Sequence, residues 1–338
     1  MLRALLARRL HRPPCTVTNG TLYGFFFCLS SCVVLKNLRL TMFLRKKCFL
    51  LLLGLLLRGA RGLFAVSGLA GVRVRKSPGG GEVDVGEVLS SSSVTSLTVF
   101  GTYGADFNMV EYGQRLKHYL PKLKSLGCER FVVILNGEEA ACEKWKTEVE
   151  IGDEVQVLSD PGGLAGRAFG VNRGWLPDSD KLDVFGFFEV PMSPYAKLFG
   201  MLWGLGAWAT LPAVIGGYLG NPFREQPWIT EALSTNNEKN RWPKATSAQF
   251  EALPLVGNWK RRPLELATLR LQNMLGISLK YWEDLRPSDL SVLTQLGGCY
   301  LLDSQQNSLY EWRDPGICAV ANFEDILQVL QQQRTPKK

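Results

Sequence analysis

Three polar residues that could do chemistry stand together where a predicted strand gives way to a helix. The apolar, β-branched run from Val94 to Gly101 predicts a strand, and the loop after it leads to Asp106, Asn108 and Glu111. Asn108, with Glu111 three residues later, has the spacing of a capping box at the start of a helix. Acid–base chemistry by the two carboxyl groups is the alternative, and helix capping is the favoured interpretation.

The other candidates for chemistry are thiols. The chain has eight cysteines, of which Cys128, Cys142, Cys299 and Cys318 follow residue 82. None of the eight forms a C-x-x-C pair, and with two histidines in the chain no Cys/His metal site is predicted, nor is any cofactor. The later four are expected to be buried small residues, although Cys318, in a loop, should be the most accessible. Cys318 and Cys299 are therefore the weak candidates for a nucleophile.

Two arginines are candidates for holding an anion, and Asn108 is a third ligand candidate. Arg173 follows a short predicted helix, and Arg313 ends a predicted hairpin. A surface or interface ion pair is the competing interpretation for both arginines.

Alternating strands and helices must position these residues. A long helix should run from Met109 to Leu126, with a kink or restart at Pro121. The predicted elements after it are a strand at Phe131–Leu135, a helix at Glu138–Val149, a strand at Val155–Leu158, a short helix within 161–170, a hairpin of Gly298–Asp303 and Leu309–Arg313, and a helix from Phe323 to about Gln333. This order predicts an α/β fold with a largely parallel sheet.

Two segments resemble motifs of a known family. Residues 157–171, VLSDPGGLAGRAFGV, are similar to the "SD…G…A…YGV" segment of peroxiredoxins, and residues 300–310 resemble their "F-x-I-D-x-x-G-x-I" hairpin. Residues 94–171 and 263–331 together resemble the peroxiredoxin-like (AhpC/TSA-type) branch found in cyanobacteria and plastids. The resemblance implies a thioredoxin-like fold, a central mixed sheet with flanking helices, with a long helical or irregular insertion before the C-terminal hairpin. It also implies thiol-dependent antioxidant chemistry.

The sequence departs from that family where the chemistry should lie. In the family, the corner between the first strand and its helix holds the reactive cysteine, three residues after a threonine. The best local match places Asn108 and Glu111 at those positions, and the arginine expected just before the hairpin is missing from 294–298. Two hypotheses follow: a non-catalytic binding or scaffold module, or a thiol oxidoreductase or peroxidase that uses Cys318 or Cys299.

The front of the chain is predicted to be a targeting leader. Residues 1–81 hold 14 of the 39 Lys and Arg residues and none of the 31 Asp and Glu residues. A signal peptide from Met42 followed by a transit-like segment is typical of import into plastids bounded by extra membranes, and plain secretion is the alternative. Residues 1–41, with a second apolar run at Leu22–Leu35, could be an uncleaved anchor or an upstream extension that precedes a true start at Met42, and the extension is favoured. The expected location is the plastid, in the stroma or at the thylakoid surface, with a mature N-terminus between Leu63 and Ser93.

Charge excludes one class of partner, and hydropathy suggests another. Residues 82–338 hold the remaining 25 basic residues against 31 acidic ones, a net charge of −6, which gives no basis for binding nucleic acid. The predicted organisation is a linker at 82–93, a domain at 94–331 with an insertion at 174–262, and a tail at 332–338. Within the insertion, the charge-free residues 198–219 could form a buried pair of helices, a membrane-surface contact or a membrane span. The buried pair is favoured because glycines and Pro212 interrupt the run.

Overall fold

A seven-stranded mixed sheet forms the centre of the computed structural model, which describes residues 68–91, 93–220 and 224–334. The strands in chain order are β1 Arg73–Ser77, β2 Glu82–Asp84, β3 Thr95–Phe100, β4 Cys128–Leu135, β5 Val155–Ser159, β6 Lys181–Val184, β7 Phe188–Pro191, β8 Gly298–Leu302 and β9 Ser308–Arg313. The sheet order is β2-β1-β5-β4-β3-β8-β9, while β6 and β7 form a separate hairpin.

Helices lie between these strands in the described part of the chain. They are α1 Val85–Ser90, α2 Phe107–Ser125, α3 Glu139–Val149, α4 Leu164–Phe169, α5 Pro194–Leu202, α6 Thr210–Leu219, α7 Pro227–Glu238, α8 Ser247–Glu251, α9 Glu265–Asn273, α10 Trp282–Leu285 and α11 Phe323–Arg334. A π-helical stretch, Met274–Leu279, continues α9. Helix α2 continues through Pro121 without the predicted restart, and α11 extends three residues into the predicted tail.

The strand pairing gives the thioredoxin-like order. Strand β4 pairs in parallel with both β3 and β5, and β8 pairs antiparallel with β3 and with β9. Each parallel connection carries a helix, as a crossover requires. The predicted fold class, a central mixed sheet flanked by helices with an insertion before the last hairpin, is confirmed.

The sheet is covered on both faces, which explains its apolar strands. Along β4, Phe131 and Val133 belong to the cluster that also contains α2 residues, whereas Val132 and Ile134 belong to the cluster that also contains α1 and α4 residues. Successive side chains of a strand point to opposite faces, so a strand covered on both sides is apolar at every position. The sheet is therefore a rigid platform for the loop that follows β3.

The start of the folded unit corrects the predicted organisation. Strand β1 pairs antiparallel with β5 and with β2, and α1 follows directly, so the linker predicted at 82–93 is wrong. The glycines between β1 and β2 form a hairpin turn, in which Lys76 N donates to Gly81 O over 2.9 Å. Leu69 is fully buried. The fold thus includes residues that the sequence assigned to the leader.

The charge-free segment forms the two short helices α5 and α6, as the favoured alternative expected. Among the described residues, no helix has both the length and the apolar character needed to cross a bilayer. The expected burial is only partial. Met201 and Thr210 are buried, whereas Phe199, Trp203 and Trp208 are each more than 60 % exposed.

Candidate functional site

The corner between β3 and α2 does not have the helix cap that the sequence predicted. Helix α2 begins at Phe107 with Asp106 as its N-cap residue, so the capping box predicted from Asn108 and Glu111 is wrong. Thr102 Oγ1, in the loop, donates to Asp106 Oδ2 over 2.6 Å. Asn108 and Glu111 lie within the first turns of α2, fully or almost fully buried. Both side chains are therefore free to bind distant parts of the chain.

Asn108 fixes the loop that follows β9. Its Nδ2 donates to Asp314 Oδ2 over 2.8 Å and to the Gly316 carbonyl over 3.3 Å, while its Oδ1 accepts from the backbone N–H of Cys318 over 2.6 Å. Cys318 has a φ of 67°, a conformation that a β-carbon disfavours and that surrounding contacts must hold. The Asn108 amide is fully engaged with protein groups and fills the corner instead of presenting a ligand site.

Glu111 is the centre of a buried charge cluster. Its Oε1 lies 2.6 Å from Arg115 Nη2, and its Oε2 lies 2.9 Å from Arg270 Nη2. Burial alone would raise the pKa of Glu111, but the guanidinium groups of Arg270 and Arg115 outweigh it and hold the pKa below its usual range. Glu111 is therefore an ionised structural partner of two arginines and neither a helix cap nor an acid–base group.

Two further carboxyl groups in the corner titrate unusually. Asp314 Oδ1 accepts from Tyr112 OH over 2.7 Å, and Tyr112 OH accepts from Ala321 N over 3.1 Å. Burial raises the pKa of Asp314 to about 7 despite its hydrogen bonds from Tyr112 and Asn108. Burial likewise raises the pKa of Asp106 to about 6, against the hydrogen bond from Thr102. The corner thus contains a pair of carboxyl groups that change charge near neutral pH.

The cysteines of the described residues are held as thiols. Cys299 lies in the middle of the sheet on β8 and is inaccessible. Cys318 is the one of the four that is not fully buried; burial raises its pKa to about 11, with partial compensation from the Arg270 guanidinium. Burial also raises the pKa of Cys128 to about 12 and those of Cys142 and Cys299 above their ordinary value. At neutral pH none of the four supplies a thiolate in this structure.

A small apolar groove opens beside Cys318. It has a volume of about 180 Å³. Its lining residues are Phe107, Leu202, Val214, Tyr218, Ala267, Arg270, Leu271, Met274, Ile317 and Cys318. A larger cleft of about 740 Å³ lies elsewhere, between α3 and the segment after α10, and contains no thiol. The groove is therefore the opening that could bring a ligand to the corner.

The insertion covers the loop at the corner. Ala209 N donates to Pro315 O over 3.3 Å, and Ile317 N donates to Thr210 Oγ1 over 3.0 Å. A β-carbon at Gly316 would lie 2.4 Å from Thr210 N, so the two segments approach as closely as a glycine allows. The start of α6 thus packs directly on the loop between β9 and α11.

The two candidate arginines lie apart from this cluster. Arg173 forms an exposed ion pair with Asp178 at 2.6 Å. Arg313 pairs with Glu311, donates from Nε to the Phe169 carbonyl over 2.8 Å, and lies over the Phe169 ring. Both contact sets match the competing interpretation, in which the arginines form ion pairs. Among the described residues, no cluster of side chains has the composition of a metal site.

Three residues that complete the corner could not be assigned to it from the sequence alone. Arg270 on α9 brings a guanidinium group to Glu111, and Asp314 and Tyr112 supply the hydrogen-bond network. A signal for Arg270 was present, because it falls four residues after Leu266 and three before Asn273, on a stripe that is buried in α9. A charge on a buried stripe requires a partner, and Glu111 is that partner.

The comparison with protein families agrees with the fold. Residues 115–316, more than half of the chain, match the family described as AhpC/TSA antioxidant enzyme. The chain therefore belongs to this peroxiredoxin-like family of the thioredoxin fold. The matched region begins within α2, so it includes Arg270 and Asp314 but not Asn108 or Glu111. No curated protein matches the chain, and no solved structure does.

Proposed function

We propose that this chain is a non-catalytic member of its family, a binding or scaffold module without thiol peroxidase activity. The observation that supports this most directly is the corner between β3 and α2. Asn108 and Glu111 fill it with hydrogen bonds and ion pairs to Asp314, Cys318, Arg115 and Arg270. A fully paired, buried polar network stabilises one conformation and leaves no group to react.

The chemistry of peroxide reduction explains why this network disfavours catalysis. The reaction needs a thiolate that attacks a peroxide oxygen, with donors that hold the departing oxygen. The ionised carboxylate of Glu111 is a poor nucleophile, and its charge would disfavour a thiolate placed near it. The donors that a thiolate would need, the guanidinium groups of Arg115 and Arg270, are already bound to Glu111.

We place the module in a plastid, in the stroma or at the thylakoid surface, as a member of the cyanobacterial and plastid branch. The support is the acid-free, basic composition of residues 1–81, together with three short runs that resemble characteristic runs of that branch: NRG at 172–174, RPLELATLRLQN at 262–273 and EWRD at 311–314. Residues 1–67, which hold the predicted signal peptide and the two alternative starts, Met1 and Met42, lie outside the described residues.

The mature N-terminus should lie between Leu63 and Leu69, a narrower range than the sequence alone predicted. Removing Leu69 would empty a fully buried site and take away the carbonyl that accepts from Gly86 N over 3.1 Å. Terminal peptide mapping of the protein from its native source tests this. A terminus beyond Leu69 would contradict it, as would peptides from residues 1–41.

A thiol oxidoreductase that uses Cys318 is the second candidate. The observation in its favour is that Cys318 lines the apolar groove together with Arg270, whose positive charge partly counteracts the effect of burial on the thiol pKa. Cys299 has no such access, because it is buried within β8. A measured pKa separates the hypotheses: an ordinary or raised value for every thiol removes the second candidate.

The full chain should show no turnover of hydrogen peroxide with a thioredoxin or a dithiol as reductant. Glu111→Cys should not restore activity, because Asn108 stands where the family has its threonine, and its amide stays bound to Asp314 and to the backbone N–H of Cys318 instead of facing the new thiol. Steady-state peroxide consumption is the measurement, with Cys318→Ser and Cys299→Ser as controls. Turnover in the wild type that either serine variant abolishes would refute the non-catalytic proposal and identify the nucleophile.

A further inference from the structure

Exposed apolar side chains are concentrated in one segment of the insertion. Of the 19 large hydrophobic side chains that are exposed in the described part of the chain, 14 fall within residues 185–219. Scattered exposed apolar residues are normal, whereas a concentration of this kind marks an interaction site. We call residues 185–219 the apolar segment; it contains the turn between β6 and β7, strand β7, and helices α5 and α6.

The orientation of the two helices is fixed by packing beneath them. Buried Met201 and Ala207 form a small core with Ile317, and a β-carbon at Gly206 would lie 2.8 Å from the Trp175 backbone. The buried positions of α6 are Thr210 and Gly217, whereas its larger apolar residues face outward. A helix on a water-exposed surface normally buries its apolar residues and exposes its polar ones. The outward face of α6 is therefore suited to contact with an apolar surface.

The chemistry of the segment fits lipid better than protein. Residues 198–223 contain no charged side chain, whereas a protein interface normally has a polar rim and regular hydrogen bonds. At the turn between β6 and β7, Phe185 is 90 % and Phe187 86 % exposed. Exposed phenylalanine side chains at the tip of a turn can insert into the fluid acyl chains of a lipid bilayer. Trp203 and Trp208 have the amphipathic rings that favour the boundary between acyl chains and headgroups.

The charges flanking the segment indicate which lipids it would meet. Three basic side chains that precede the charge-free part of the segment are each ion-paired with an acid. The pairs are Arg173 with Asp178, Lys197 with Asp180, and Lys181 with Glu189. Paired bases offer little attraction to anionic headgroups, so binding would depend on apolar insertion and not on surface charge.

We propose that the apolar segment docks on the surface of a neutral lipid bilayer. The Phe185–Phe187 turn and the loop between α5 and α6 insert to the depth of the headgroup boundary, and the sheet stays in water. The proposal is independent of whether the corner is catalytic.

The natural tryptophans allow a direct test in the full chain. All nine lie after residue 144, so the leader contributes no signal. The probe is a vesicle of phosphatidylcholine with brominated acyl chains, which quench only fluorophores that reach the bilayer. We expect quenching that is unchanged by added NaCl and that falls about fivefold in the double variant Trp203→Phe, Trp208→Phe. Trp242→Phe, which changes a tryptophan that is 66 % exposed outside the segment, should leave the quenching as it is.

A second variant separates docking by the segment from tethering by the leader. Phe185→Ser with Phe187→Ser alters two side chains that contact little of the protein, so the fold should be retained. We expect it to reduce the quenching of Trp203 and Trp208. Unchanged quenching in this variant would overturn the proposal, because the leader would then suffice to hold the chain on the vesicle. Absence of quenching in the wild type, or a dimer in solution that buries the segment, would overturn it equally.

Discussion

Glu111→Gln should lower the free energy of unfolding by about 3–5 kcal/mol, the cost of breaking a buried ion pair by removing one partner. Glutamine keeps the volume of the side chain but removes the charge that neutralises Arg115 and Arg270. Arg261 adds to the effect. Burial, together with the nearby positive charges of Arg270 and Arg115, lowers the pKa of Arg261 to about 10, which shows that the three guanidinium groups are close to one another. Without Glu111, three guanidinium groups would share a buried region with no counter-ion.

Urea unfolding followed by circular dichroism measures this loss, and Glu283→Gln is the matched control. Glu283 pairs with Arg286 at 2.9 Å, but its side chain is 78 % exposed. An exposed pair contributes about 0–1 kcal/mol, so the control should unfold almost as the wild type does. Equal stabilities for the two variants would show that the Glu111 cluster is not the buried, mutually dependent unit described above.

The strands of the central sheet could be predicted from sequence because their signal is local. Strand β4 is apolar at successive positions, and such a run leaves few alternatives to a strand covered on both faces. Strand β1 has no apolar run of this kind, because three of its five residues, Arg73, Arg75 and Lys76, are basic. The Pro-Gly-Gly-Gly turn after it has the composition of a linker. The pairing with β5, far along the chain, makes it a strand.

The contacts at the corner could not be predicted either, because they join residues that lie even farther apart in the sequence than β1 and β5. The spacing of Asn108 and Glu111 satisfies the local rule for a capping box, and the rule fails because better partners arrive from elsewhere. Arg270 is 159 residues from Glu111, and Asp314 is 206 residues from Asn108. Local patterns contain no information on such contacts. The sequence does show that residues 94–127 contain no cysteine, and in the structure Asn108 and Glu111 are buried at this corner.

The wild-type protein should lose stability as the pH rises from 5 to 8, and Asp314→Asn should remove much of that loss. Burial raises the pKa of Asp314 in the folded state to about 7, above its ordinary value of 3.8. A carboxyl group of this kind stabilises the fold fully below the unfolded pKa, and its contribution disappears as the pH rises through the folded pKa. Of the difference of about 3 pKa units, about 2 units lie between pH 5 and the folded pKa, so the loss across this interval is about 3 kcal/mol.

Asparagine is the appropriate replacement because it resembles the protonated acid. Its carbonyl can accept from Asn108 as Asp314 Oδ2 does, whereas its amide would donate to Tyr112 OH, the reverse of the bond that Asp314 Oδ1 accepts from this hydroxyl. The difference in unfolding free energy between the variant and the wild type should move in favour of the variant by about 3 kcal/mol from pH 5 to pH 8. Asp106, whose pKa is also raised, contributes a residual slope of the same sign to both proteins.

The matched control is Asp178→Asn, which changes a carboxyl group whose side chain is 72 % exposed. Its effect on stability should be small at both pH 5 and pH 8, because an exposed ion pair is weak. Glu111, whose pKa is lowered, acts with the opposite sign, and its stabilisation is lost only at acid pH, below the interval measured. If Asp314→Asn shifted the free energy of unfolding equally at pH 5 and pH 8, Asp314 would not be the group that titrates. The pH-dependent stability of the corner would then have to come from Asp106 alone.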